Sequence, residues 1–316
     1  MEIVRPLPLR DGATIGVLSV SAPEPTTEET RFSRGLKVLR DRGFHVKVAP
    51  HAAERHGYMS ATEEALASDL HELFLDPDIR AIICAGGGVN ANRLLRHLDF
   101  DVIKRNPKAL VGVSNPTVIL NAITARTGLI TFHGPSVIWD LGADEGIPAA
   151  TAENFFGILQ TDQSHYAVAS QPGAWQWLNP GELSGRLLGG NLASVQGLLG
   201  TPYEPDWPGS VFAWEDIAKP VNRLDMMLTH FRDAGVFEHI TGMIIGQLVS
   251  CASADGGQAL EEMLSEVLSG YHFPVLADVP FGHTSDKVTL PLGAVVRADP
   301  DAHALTFQLP DFPEKG

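Results

Sequence analysis

Short apolar runs alternate with helical patterns through the first half of the chain. The runs, rich in β-branched residues, predict strands at "ATIGVLSV", "FHVKV", "RAIIC", "ALVGV" and "GLITF". Between them, apolar residues spaced three and four apart predict helices over 28–42, after the capping-box pair Ser60 and Glu63, over "NANRLLRHL" and over 116–126. Such alternation is typical of βαβ units. It predicts an α/β fold whose N-terminal domain, residues 1–160, is Rossmann/flavodoxin-like with a parallel sheet.

The pattern changes after about residue 160. Residues 161–185 are polar, contain Gly, Pro and Trp and show no helical period, so we expect a linker or a lid. Residues 186–316 then combine the strands "SVFAWED" and "GMIIGQLVS", helices over 221–234 and 258–269, and a tail that predicts a hairpin turning at "DPDA". This mixture predicts a β-rich α+β C-terminal domain.

The net charge and the cysteine and histidine patterns limit which partners, which compartment and which metals we expect. A net charge of -15 without a local Lys/Arg stripe argues against nucleic acid and against an anionic membrane surface. Neither a signal-peptide layout nor an apolar run of about 18 residues is present, which predicts a cytoplasmic protein. Cys84 and Cys251 form no disulfide framework or CxxC pattern, and the 12 histidines include no HExxH, so no metal and no cofactor are expected.

Three glycines end the predicted strand "IICA". Gly86, Gly87 and Gly88 could cradle a phosphate through exposed N–H groups, although the spacing does not fit GxGxxG. They could equally supply N–H donors to an oxyanion, or form only a tight turn. The sequence leaves these three interpretations open. Cys84, just before them, lies in an apolar run that favours a buried structural side chain over a nucleophile.

Ser114 follows the predicted strand "ALVGV" in the turn "GVSNP". A sharp strand-to-helix turn exposes a nucleophilic Oγ, yet Pro116 stands where the hydrolase pattern GxSxG has its second glycine. Taken alone, a Ser-Asn-Pro turn is most often a helix N-cap. Serine chemistry also requires a base and an acid that orients the base. Glu215 and Asp216, at the end of a strand, and His283, in the loop "PFGHTSD", are candidates for those roles.

Taken in order, these segments resemble the LD-carboxypeptidase family of serine peptidases. The likeness runs from "GVLSVSAPEP" through "IICAGGG", "ALVGVSN", "TGLITFHGP" and "LLGGNLASVQGLLGTP" to "FAWED" and "PFGHTSDKVTLPLG", nearly the whole chain. The resemblance implies a Ser-Glu-His triad of Ser114, Glu215 and His283. It also implies an oxyanion hole of backbone N–H groups from Gly87 and Asn115, a homodimer and no cofactor or metal.

Two positions depart from the family pattern. Val113 replaces the aromatic residue before the serine, and Asn115, followed by Pro116, replaces the Asp after it. A backbone donor survives the change from Asp to Asn, so the chemistry need not be lost. The departures leave open the choice of substrate and whether any side-chain role of that Asp is kept.

Within the family, "DPDIRAII", "IKRNPK" and "TGLITFHGP" resemble the MccF-like branch, which includes a microcin C self-immunity protein. That branch implies amide cleavage in a small peptide or a peptidyl-aminoacyl nucleotide, a detoxifying activity. The alternative is LD-carboxypeptidase action on cytoplasmic muropeptides. A hypothesis of another class is a non-catalytic small-molecule binding protein on the same fold.

Overall fold

The computed structural model describes residues 2–170, 174–251, 259–301 and 303–312. Its strands are β1 (Thr14–Leu18), β2 (His45–Val48), β3 (Ile79–Cys84), β4 (Ala109–Gly112), β5 (Thr131–His133), β6 (His165–Ala169), β7 (Gln176–Asn179), β8 (Leu183–Asn191), β9 (Ser210–Glu215), β10 (Gly242–Gly246), β11 (Val275–Val279), β12 (Leu290–Leu292), β13 (Val295–Ala298) and β14 (Ala304–Gln308). Its α-helices are α1 (Glu24–Thr27), α2 (Glu29–Asp41), α3 (Glu63–Leu75), α4 (Phe100–Arg105), α5 (Thr117–Thr127), α6 (Ala149–Gln160), α7 (Leu192–Gln196), α8 (Val221–Asp233) and α9 (Leu260–Val267). The predicted helix at "NANRLLRHL" is a 3-10 helix, Ala91–His97.

The first sheet has the strand order β12-β5-β4-β3-β1-β2. Strands β1 to β5 run parallel, and β12 is antiparallel to β5. Strands β4 and β5 are buried along their whole length, because a parallel sheet is covered on both faces and therefore needs continuous apolar runs. The carboxyl ends of β1, β3, β4 and β5 reach one edge of the sheet, where ligands bind in folds of this kind.

The second sheet has the order β6-β14-β13-β8-β9-β10-β11-β7. Its centre, β8 to β11, is parallel, and its flanks are antiparallel. The predicted α/β class, with a parallel N-terminal sheet and a second β-rich unit that also contains helices, is confirmed. The segment expected to be a linker or lid, 161–185, contributes β6 and β7 to opposite edges of this sheet; residues 171–173 lie outside the described residues.

The C-terminal tail joins the two sheets. The predicted hairpin exists as β13 and β14, and the last residue of its predicted "DPDA" turn lies outside the described residues. Strand β12, which the sequence pattern did not assign to the first sheet, pairs there with β5, Leu290 opposite His133. Buried side chains from both sheets, among them Ile83, Val111, Leu187 and Phe281, share one core cluster.

Helix boundaries follow local capping chemistry. The predicted capping box at Ser60 is wrong: α3 begins at Glu63, and Thr62 Oγ1 accepts the Ala65 N–H at 3.3 Å. Ser60 Oγ donates instead to the Ala22 carbonyl at 2.9 Å. Helix α9 begins at Leu260, and its predicted start at residue 258 lies outside the described residues. Within the described ranges, no helix combines the length and apolar character needed to cross a bilayer.

Candidate active site

Ser114 sits in a strained turn between β4 and α5. Its φ of 64° lies in the left-handed region, which is unfavourable for a residue with a side chain and is enriched at active sites. Pro116 is the N-cap residue of α5 and the helix has no side-chain cap. The N-cap interpretation of Ser114 is therefore wrong. The turn presents the serine to a cavity, as a nucleophile requires.

The glycine loop lies against that serine. A Cβ atom on Gly87 would come within 3.1 Å of Ser114 Oγ, so glycine permits the close approach. The Gly87 N–H donates to Glu24 Oε2 at 2.7 Å. Asn115 Oδ1 accepts the Ala91 N–H at 2.6 Å and so ties the residues after the loop to the serine turn. The structure thus brings Ser114, Gly87 and Asn115 together, with the Gly87 amide engaged by a carboxylate.

Glu215, at the end of a strand, and His283, in a loop, form a hydrogen bond beside the second sheet. Glu215 ends β9, and His283 follows β11. His283 Nδ1 lies 2.7 Å from Glu215 Oε2; the carboxylate is 0% and the imidazole 18% exposed. A buried carboxylate on Nδ1 favours the Nδ1–H tautomer and leaves Nε2 free to accept a proton. Gly282, with φ of 89°, lets the loop pass over Glu215, since a Cβ there would lie 2.2 Å from the carboxyl carbon.

Two further polar side chains approach the same carboxylate. Asn191, opposite Glu215 in the pairing of β8 with β9, donates from Nδ2 to Glu215 Oε1 at 3.3 Å. His133, at the end of β5, has its Nε2 3.9 Å from Oε1 and is fully buried. The neighbouring Asp216 is occupied elsewhere: its Oδ2 accepts the Ala193 N–H, and its Oδ1 lies 3.3 Å from Lys219 Nζ. Of the two candidate acids, Glu215 alone contacts His283.

Ser114 and His283 face a common cavity of about 780 Å³, a size suited to a small-molecule ligand. Ser114 Oγ makes no hydrogen bond to any residue that the structure describes, and catalytic contacts of this kind often shorten only when substrate is bound. The cavity is also lined by Glu24, the partly exposed Trp139 and the buried Lys287–Asp140 ion pair. Trp139 Nε1–H donates to Glu24 Oε2 at 3.0 Å.

Cys84 lies behind the glycine loop and cannot serve as the nucleophile. It is 1% exposed, and burial raises the pKa of its thiol to about 12. A thiol held neutral in this way is unreactive at physiological pH. The interpretation of Cys84 as a buried structural side chain agrees with this position.

One group of side chains has the spacing of metal ligands. Ligand atoms of Glu63, Glu64 and His97 lie within 4.8 Å of one another. Glu63 is already paired with Arg93 at 3.1 Å and with Arg96 at 2.5 Å, and these pairs lower the pKa of its carboxyl. The ion pairs explain the cluster without a metal.

The sequence interpretation missed Glu24, His133, Trp139 and Asn191. A usable signal existed for Asn191, which ends a strand in "GGN" and caps α7 by accepting the Ser194 N–H at 3.2 Å. Glu24 follows β1 and His133 ends β5, and both strands are parallel strands of the first sheet. The strand pattern therefore already implied that both residues lie at the ligand-binding edge.

Comparison with known proteins gives matches over both halves of the chain. Residues 15–134 match the model of the LD-carboxypeptidase N-terminal domain, and residues 184–298 match the model of the LD-carboxypeptidase C-terminal domain. The chain is 34% identical to the microcin C7 self-immunity protein MccF of Escherichia coli, over 93% of this chain and 92% of that protein. It is 31% identical to a probable murein peptide carboxypeptidase of Bacillus subtilis, over 92% and 90%.

Solved structures give the same result. The wild-type apo structure of MccF superposes with a TM-score of 0.91 at 30% identity, covering 98% of this chain and 99% of that one. A muramoyltetrapeptide carboxypeptidase from Oxalobacter formigenes superposes with a TM-score of 0.82 at 28% identity, over 95% and 100%. The expected resemblance is thereby confirmed across both halves of the chain, which belongs to the LD-carboxypeptidase family of serine peptidases.

Proposed function

We propose that this peptidase uses Ser114 as nucleophile, His283 as general base and acid, and Glu215 as the group that orients His283. The observation that carries this assignment is the 2.7 Å contact between His283 Nδ1 and the buried Glu215 carboxylate, beside the cavity that Ser114 also lines. The strained turn at Ser114 supports it, because strain of this kind persists only where the surrounding structure enforces it.

The first half-reaction follows from these positions. Ser114 Oγ attacks the substrate carbonyl carbon while His283 Nε2 takes the hydroxyl proton, and Glu215 stabilises the imidazolium that results. The negative charge moves to the carbonyl oxygen, for which the N–H groups of Gly87 and Asn115 are the proposed donors. The C–N bond then breaks, His283 gives its proton to the leaving amine, and an ester on Ser114 remains.

Water completes the cycle. His283 takes a proton from a water molecule, which attacks the ester carbonyl and forms a second oxyanion in the same place. Collapse of that intermediate returns the proton to Ser114 Oγ and releases the carboxylic acid. Every proton is carried by His283, so the reaction as written needs no metal and no organic cofactor.

For substrate we propose an amide in a small peptide or a peptidyl-aminoacyl nucleotide, and hence an MccF-like role in detoxification, self-immunity and antibiotic resistance. The support is the likeness to MccF, whose solved structures include complexes with aspartyl sulfamoyl adenosine and with adenosine monophosphate. The second candidate is an LD-carboxypeptidase acting on muropeptides, which the murein peptide carboxypeptidase of Bacillus subtilis favours.

One experiment separates these candidates. The purified protein and its Ser114→Ala variant are each incubated with a peptidyl-aminoacyl adenylate and with a tetrapeptide muropeptide, and the products are identified by mass spectrometry. We expect cleavage of the adenylate's amide by the wild type alone. Release of the terminal D-amino acid from the muropeptide alone would establish the second candidate. Cleavage that survives in Ser114→Ala would refute the triad.

A binding protein without catalysis is the third possibility, motivated by Asn115 and Pro116 after the serine. A fluorophosphonate probe should label the wild type and not Ser114→Ala. Absence of labelling and hydrolysis, combined with ligand-induced thermal stabilisation, would favour binding. The cytoplasmic location and the homodimer stay predictions, to be tested by cell fractionation and by light scattering.

A further inference from the structure

His133 occupies the boundary between the two sheets at the proposed triad. It ends β5, opposite Gly112 of β4 on one side and Leu290 of β12 on the other. Its ring is fully buried, stands edge-on to Phe281 at 5.9 Å between centroids, and reaches across to the second sheet. There its Nε2 lies 3.9 Å from Glu215 Oε1. A histidine from the first sheet thus faces the carboxylate of the second.

The ring has unused hydrogen-bonding capacity. Among the residues that the structure describes, neither Nδ1 nor Nε2 of His133 has a hydrogen-bond partner. Buried polar atoms nearly always have one, and leaving a buried donor unpaired is unfavourable. Burial lowers the pKa of His133 to about 3, and the charges of His283 and Lys287 act in the same direction. The ring is therefore neutral and offers one N–H donor.

Glu215 has a matching need on its second oxygen. Oε2 is taken by His283 Nδ1 at 2.7 Å, whereas the only described donor on Oε1 is Asn191 Nδ2 at 3.3 Å. A carboxylate that is wholly buried requires several donors to remain ionised and fixed in orientation. The 3.9 Å from Oε1 to His133 Nε2 is about 1 Å longer than a hydrogen bond, so the two groups must approach by about that distance for His133 to donate to Glu215.

We propose that His133 is a positioning residue, whose neutral Nε2–H holds Glu215 Oε1 so that Oε2 stays on His283 Nδ1. This inference rests on the proposed triad and adds a residue that acts through Glu215. It links the two sheets: the strand beside the serine turn then also fixes the acid that orients the base. His133 keeps its proton throughout the reaction, so the protonation steps assigned to His283 are unchanged.

Nitrogen-15 NMR of the histidine rings tests the proposal in the wild-type protein. We expect His133 in the Nε2–H tautomer and His283 in the Nδ1–H tautomer at pH 8, with the resonances assigned from His133→Phe and His283→Ala. An Nδ1–H tautomer at His133 would overturn the proposal. The measurement needs no substrate, so it reports on His133 even if the proposed hydrolysis fails. If His133→Phe does not fold, the His133 resonance is assigned by elimination from variants of the other histidines.

Two substitutions test the donor itself. His133→Phe keeps a buried ring but removes the N–H, and we expect a smaller fraction of the Nδ1–H tautomer at His283. Turnover should fall about tenfold to a hundredfold, as for residues that orient a catalytic group, with KM changed less than about twofold. His133→Gln places an amide N–H near the same point and should restore most of both quantities. The proposal would be contradicted if His133→Phe kept the wild-type His283 tautomer and the wild-type kcat. It would also be contradicted if His133→Phe and His133→Gln, both of normal thermal stability, lost equal amounts of kcat.

Thr289→Val is the matched control. Thr289 Oγ1 is another buried atom without a partner among the described residues, and it precedes the strand that pairs with β5. Removing it should leave the His283 tautomer and kcat as in the wild type. A loss equal to that of His133→Phe would show a general response to core substitution and overturn the specific role.

Discussion

Glu24 Oε2 accepts the hydrogen bond of the Gly87 amide at 2.7 Å, beside Ser114. The same oxygen also accepts the Trp139 indole N–H at 3.0 Å, so the carboxylate is held over the glycine loop from two sides. A single N–H cannot be directed fully at two acceptors. If Gly87 donates to the oxyanion, as proposed, Glu24 competes with the substrate for that donor.

Glu24→Ala should therefore raise kcat on a cleavable amide. A hydrogen bond to a charged group contributes about 1.5–3 kcal/mol. In the wild type, part of the Gly87–Glu24 bond must be given up when Gly87 turns to the oxyanion, and the variant avoids only that part. We therefore expect kcat to rise a few-fold. Steady-state kinetics measures it. Glu29→Ala, on the exposed start of α2, is the matched control and should match the wild type. A large loss of kcat in Glu24→Ala would instead show that the carboxylate shapes the loop for catalysis.

The left-handed backbone of Ser114 predicts a stability difference between two inactive variants. Ser114→Ala retains the unfavourable φ of 64°, whereas Ser114→Gly relieves it. The glycine variant should have the higher free energy of unfolding, by about 1 kcal/mol. Urea denaturation of the two proteins gives this difference directly. Equal stability would mean that the turn relaxes without its hydroxyl and stores no strain.

Gly282 should be essential for Glu215 to reach His283. In Gly282→Ala, the new methyl would lie 2.2 Å from the Glu215 carboxyl carbon, so the carboxylate must move. We expect kcat to fall by at least about tenfold. Gly270→Ala has nearly the same backbone strain, with φ of 87°, but its methyl would meet open space. Gly270→Ala should lose about 1–2 kcal/mol of stability and keep its activity, whereas Gly282→Ala should lose at least as much stability together with its activity.

The buried neutral His133 predicts a dependence of stability on acid. Its pKa is about 3 in the folded protein and near 6.5 in an unfolded chain, so the unfolded state binds the extra proton between these values. The contribution of neutral His133 to the free energy of unfolding is fully present above pH 6.5. It decreases as the pH falls toward 3. Burial is the main cause of the lowered pKa of His133, and the charges of His283 and Lys287 act in the same direction.

Comparison of the wild type with His133→Phe isolates this contribution. The free energy of unfolding of the wild type minus that of the variant should decrease on acidification below pH 6.5, by at most about 1.4 kcal/mol per pH unit. Urea titrations at pH 8, 6 and 5 measure it. A difference that is constant over this range would show that His133 titrates alike in both states.

Much of the site was present in the sequence as strand ends. The apolar runs before Gly86 and Ser114 predicted parallel strands, and the carboxyl ends of such strands meet at one edge, which is why these residues lie together. The family resemblance supplied Glu215 and His283, since no periodicity relates residues so far apart along the chain. The role of each of these side chains stays a prediction until the variants are measured.

What the sequence alone determined is the set of elements, because hydrophobic period and backbone preference act over a few residues. The α/β class, the positions of most strands and the helix containing Phe32, Leu36 and Leu39 follow from it. Contacts between distant segments required the tertiary structure: Glu24 on the Gly87 amide, His133 facing Glu215, and β12 crossing to β5. Each of these contacts depends on the direction of a side chain or strand and on packing between distant segments, within the first sheet or between the two sheets. No local sequence pattern encodes that direction or that packing.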